Sequence, residues 1–159
     1  MPMALSGNQV RTRTPVQTAA LAVGAVFLLV GVAGFIPGIT TNYSELSFAG
    51  HHSGAMLLGI FAVSVLHNIV HLLFGVAGIA FARSISGSRN YLIGGGAVYA
   101  VLGLYGLIID HGSGANFVPV NNADNWLHFG LAAGMIALGV ALGRSPRGRV
   151  DDPAVERRP

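Results

Sequence analysis

The side chains able to do chemistry are few, and they sit in apolar surroundings. His67, Asn68 and His71 fall within the run Leu66-His-Asn-Ile-Val-His-Leu-Leu-Phe-Gly, and Asp124, Asn125 and His128 within Asp124-Asn-Trp-Leu-His. Both runs contain the spacing Asn-x-x-His. On a helix, steps of three and four return to the same face. Ser64, His67, Asn68, His71, Gly75 and Gly78 therefore form one polar and small stripe, and Tyr99, Gly103, Gly106 and Asp110 form another. His67, His71 and His128 are the candidate cofactor ligands. A bis-His haem between the second and fourth apolar segments is one expectation. A divalent metal is a second, with His67 and His71 as donors at i and i+4 and His128 or Asp124 as the third. A quinone in the same place is a third. The bare His-x-x-x-His lacks the glutamate of a metalloprotease helix. The rival reading is a polar network in which Ser64, Asn68, Tyr99, Asp110, Asp124 and Asn125 join the histidines to fix helix register, each interhelical bond contributing about 0.6 kcal/mol. Ionisable groups inside a membrane are costly and mark functional sites. Histidine also titrates near physiological pH, so a small proton-coupled transporter is a further alternative.

Catalytic templates are missing. The sequence has no cysteine, no Gly-x-Ser-x-Gly elbow, no P-loop and no dinucleotide fingerprint in a strand–helix setting. Ser64 lies three residues before His67, a spacing too common on helices to assign a nucleophile and its base. The triple glycine at 94–96 falls inside an apolar segment and reads as helix packing, so no enzymatic activity is assigned.

These side chains must be positioned by elements that live in lipid. The chain is 52% hydrophobic and 9% charged, whereas a soluble domain carries about a quarter charged residues. Four apolar stretches, 16–36, 56–82, 91–109 and 125–142, each approach or exceed the roughly 20 helical residues that cross a hydrocarbon core. They show no two-residue alternation, which excludes barrel strands. The expected fold is all-α, an integral membrane four-transmembrane-helix bundle spanning 16–142. The second stretch is about 40 Å long and overshoots the core. If the excess projects outward, His67 comes level with His128 and His71 lies about one turn deeper.

Every positive charge is an arginine. Arg11 and Arg13 precede the first stretch, Arg83 and Arg89 lie between the second and third, and the other five follow the fourth. Loops 37–55 and 110–124 have none. Arginine-rich short loops stay cytoplasmic, so both termini are expected in the cytoplasm of a multi-pass inner-membrane protein. The first stretch is too long for a signal-peptide core and is read as a retained helix. Residues 1–15 form a cytoplasmic segment, and 143–159 a disordered cytoplasmic tail whose Arg144, Arg147 and Arg149 lie near anionic headgroups. The net charge of +3 forms no basic face, so nucleic acid is not an expected partner. The lipid bilayer is, and packing glycines on several helix faces admit a homo-oligomer or membrane complex. Gly31/Gly34 and Gly103/Gly106, together with the two Asn-x-x-His spacings, suggest a repeated helix pair.

The two histidine-bearing runs, preceded by Leu57-Leu-Gly-Ile-Phe and joined by Pro119-Val-Asn, resemble the family of small bacterial membrane proteins catalogued as domain of unknown function 4383. The resemblance covers the four apolar stretches and leaves out the arginine-rich ends. It implies a four-helix membrane protein, common in actinobacteria, with no established activity. The function expected from sequence is a non-enzymatic scaffold or accessory protein with a buried His/Asn network.

Overall fold

A computed structural model of the chain describes residues 12–143. Arg11, Arg144, Arg147, Arg149 and the expected disordered tail lie outside the described residues. Four helices carry the fold: α1 Pro15–Ala33, α2 Val65–Phe81, α3 Ile85–Ile108 and α4 Asn122–Leu142. α1, α3 and α4 are long and apolar enough to cross a membrane, and α2 is a shorter apolar helix of 17 residues. Its length of about 26 Å lies at the lower limit for a span.

Local sequence sets the helix starts. Pro15 occupies the first turn of α1 beside a capping box between Thr14 and Gln17, where its missing N–H costs nothing. Ser64 caps α2, its Oγ accepting the His67 N–H at 3.1 Å. Ser84 caps α3. Asn121 caps α4, and Asp124 completes a capping box with it. Each device satisfies backbone donors that a helix start leaves open.

The expected second span is corrected here. Residues 56–62 are not helical. They belong to a small antiparallel sheet of β1 Thr40–Thr41, β2 Met56–Leu57 and β3 Phe61–Ala62, in the order β1-β2-β3. Leu58 and Gly59 turn the chain between β2 and β3 with φ of 56° and 70°, which ends any helical run. Ser64 then supplies the start signal, and α2 begins about nine residues later than apolar content alone indicates. α3 conversely starts earlier than expected, so Arg89 lies within its first turns.

α1 packs on α2, α3 packs on α4, and the two pairs meet chiefly along α1 and α3. The polarity is inverted relative to a soluble bundle. Leu29, Leu73, Val101 and Ile108 face outward, while Asn68, Asn125, His67 and His128 are buried. Such a surface suits hydrocarbon, and the protein is a multi-pass membrane protein.

Candidate functional site

The two helix pairs repeat one another residue for residue along their contact. Asn68 is the fourth residue of α2 and Asn125 the fourth of α4; His71 and His128 are the seventh of each. Their glycine partners match as well. A Cβ on Gly34 would strike the Asn68 amide, and one on Gly106 would strike the Asn125 amide. Gly31 meets Leu72 where Gly103 meets Phe129, and Gly24 meets the Gly75 carbonyl where Gly96 meets that of Ala132. The loose glycine match seen in the sequence is thus a packing register: α1 corresponds to α3, and α2 to α4.

Aromatic rings join the halves. Phe27 of α1 and Tyr99 of α3 stack with centroids 5.4 Å apart and an interplanar angle of 12°. Phe27 also stacks on His71 at 5.8 Å, and Tyr99 lies 5.3 Å from His128. Each imidazole therefore rests on the aromatic ring contributed by its own helix pair. A bis-His haem would require His71 and His128 to face one iron, whereas here the two rest on different members of the Phe27–Tyr99 stack. His71 and His128 also occupy equivalent helical positions, about 9 Å along from the first residue of each helix. Among the described residues, no three His, Cys, Asp or Glu side chains are placed to hold a metal ion.

His67 and Asp124 take a different part. Both are third residues of their helices, and each reaches across to the other half. His67 Nδ1–H donates to the Pro119 carbonyl at 3.2 Å, in the connection before α4. Asp124 Oδ2 accepts the Ala62 N–H at 3.0 Å, in the connection before α2, and the Asn121 N–H at 2.9 Å. Ala62 and Pro119 each stand two residues before their helix cap, so the ties are reciprocal. Asn121 Nδ2 adds a bond to the Ile60 carbonyl at 2.8 Å, and the Gly50 N–H reaches the Phe117 carbonyl at 2.6 Å. Together these bonds hold one loop to the other over this end of the bundle.

The remaining predicted members separate. Ser64 is a helix cap and donates nothing to the histidine rings. Asp110 lies beyond the end of α3, exposed, where its Oδ1 accepts the Gly112 N–H at 2.9 Å; the helical stripe that places it beside Tyr99 stops at Ile108. Four residues are left together in character. Both side-chain atoms of Asn68, both of Asn125, and the Nδ1 atoms of His71 and His128 are buried with no hydrogen-bond partner. Sequence reasoning missed Phe27 and the role of Gly34 and Gly106 as the seats of the two amides. The signal for Phe27 was its position relative to Gly24 and Gly31, which matches that of Tyr99 relative to Gly96 and Gly103.

Residues 17–141 match the family described as Domain of unknown function (DUF4383). The chain belongs to that family. The match spans all four helices and both Asn–His pairs. Searches of curated proteins and of solved structures return no match.

Proposed function

We propose that this DUF4383 protein is a non-catalytic membrane protein whose twin Asn–His pairs bind a small, uncharged, lipid-soluble molecule bearing carbonyl or hydroxyl groups, quinones among them. The unpartnered state of Asn68, His71, Asn125 and His128 is the observation that carries this reading. A buried polar atom without a partner costs about 1–3 kcal/mol, and here six such atoms recur at equivalent positions of two repeats. A network that served only to hold helices together would pair these atoms with one another. Amide groups supply both a donor and an acceptor, which suits a carbonyl or hydroxyl arriving from the bilayer.

Substitution by leucine separates this from the scaffold reading. Replacing an unpartnered polar side chain by an apolar one of similar size is close to neutral or stabilising. Asn68→Leu and Asn125→Leu should therefore hold or raise the melting temperature of the detergent-purified protein. Solvent extraction with mass and absorption spectra should find a bound quinone or related compound in the native protein and not in the double variant. A lowered melting temperature with no extractable compound in either protein would sink the proposal and favour a structural network.

The scaffold reading draws support from the reciprocal ties of His67 and Asp124, which are satisfied and join the halves. In that reading the loops are a fixed cap, and the functional surface lies on a protein partner.

A further inference from the structure

At the opposite end of the bundle from the Asn–His pairs lies a cleft of about 1400 Å³. Arg13, Arg83 and Arg89 line it, with Gln17 and Asn90 among its polar groups. Leu21, Ile79 and Val140 form apolar wall on α1, α2 and α4. Among the described residues, no Asp or Glu lines it. Two features set part of its shape. Gln17 Nε2 donates to the Ala82 carbonyl at 3.0 Å, tying the start of α1 to the end of α2. The Arg89 stem lies against Gly143, where a Cβ would meet its Cδ at 2.6 Å, so Arg89 reaches from α3 to the end of α4. α1 and α3 begin at this level and α2 and α4 end there, so the helix dipoles offset one another and the positive field comes from the arginines.

Three guanidinium groups around one opening call for an anion with several oxygen acceptors, and guanidinium geometry matches phosphate. The apolar wall calls for a hydrocarbon chain on the same molecule. We propose that this cleft is a binding site for an anionic phospholipid, the arginines holding its phosphate and the wall of Leu21, Ile79 and Val140 receiving an acyl chain. Basic clefts between membrane helices recognise lipid headgroups by this division of labour. The site is separate from the Asn–His pairs and stands whatever those pairs bind.

Native mass spectrometry of the full-length protein in detergent tests it, with phosphatidylglycerol, phosphatidylcholine and inorganic phosphate as probes. Phosphatidylglycerol should bind in preference to phosphatidylcholine. Arg83→Gln with Arg89→Gln should weaken it by roughly fivefold for each arginine removed. Removing two charges from the tail, by Arg157→Gln with Arg158→Gln, should leave it unchanged. Equal loss in the tail variant would overturn the site in favour of diffuse attraction. Inorganic phosphate binding as well as the lipid would overturn the lipid assignment in favour of a soluble phosphate. Should the paired glutamine variant fail to fold, Arg89→Gln alone and the headgroup comparison in the native protein decide the question.

Discussion

Among individual residues, the glycines under the two amides are as telling as the amides themselves. Asn68 and Asn125 fit because Gly34 and Gly106 present bare backbone to them. A methyl group at either position displaces a side chain that is fully buried and has no flexible tip to yield. Gly34→Ala and Gly106→Ala should each destabilise the detergent-solubilised protein by about 1–3 kcal/mol, as overpacking of a tight contact does, seen as a lower thermal midpoint. Pairing Gly34→Ala with Asn68→Ala should recover most of that loss, because the smaller side chain makes room. A cost that persists in the pair would place the constraint in the backbone and not in the amide. The equivalence of the halves predicts the same behaviour for Gly106 and Asn125.

For the helices and their connections, the sequence was legible where a signal is local. Apolar content sets the first and fourth stretches at 16–36 and 125–142, and α1 and α4 depart from these bounds by at most three residues. α2 was not legible in the same way. Met56, Leu57, Ile60, Phe61 and Val63 are as apolar as the helix that follows, and hydropathy does not separate an apolar hairpin from a span. The residues that separate them are Gly59 in the turn and Ser64 at the cap, neither of which hydropathy registers. The ties between halves were invisible for another reason. His67 to Pro119 and Asp124 to Ala62 are bonds to backbone across a long stretch of chain, and sequence spacing records none of it. They make separable predictions. Asp124→Ala removes the capping box and the tie to β3 together and should cost about 1–2 kcal/mol, with faster amide exchange at Ala62. His67→Ala should quicken exchange in residues 109–121 while leaving α2 protected. Uniform loosening of both loops in either variant would mean the ties act as one unit.

For the molecule as a whole, the end bearing Arg13, Arg83 and Arg89 is proposed to face the cytoplasm, and the loop end with its sheet to face outward. The absence of native cysteine makes this direct to examine. In intact cells a membrane-impermeant maleimide should label Ser44→Cys, which lies on the exposed loop surface, and should reach Ser86→Cys only after the membrane is opened. The reverse pattern would invert the topology. Inverted polarity, family membership and the number of helices were all legible from composition and motif. The two-fold relation between halves was legible only in outline, because four matched positions in a sequence are thin, whereas matched contacts are not.

The repeated helix pair carries a consequence about descent. Two copies of one hairpin, exchanging ties between His67 and Pro119 on one side and Asp124 and Ala62 on the other, are what a fused pair of identical subunits would leave behind. Fusion lets the copies drift apart, and they differ where the halves touch: a phenyl ring faces a phenol at Phe27 and Tyr99, and an imidazole corresponds to a carboxylate at His67 and Asp124. The chain severed between Arg83 and Ser84 should accordingly assemble from its two unlike pieces when they are made together, while either piece alone should find no satisfactory mate in its own kind.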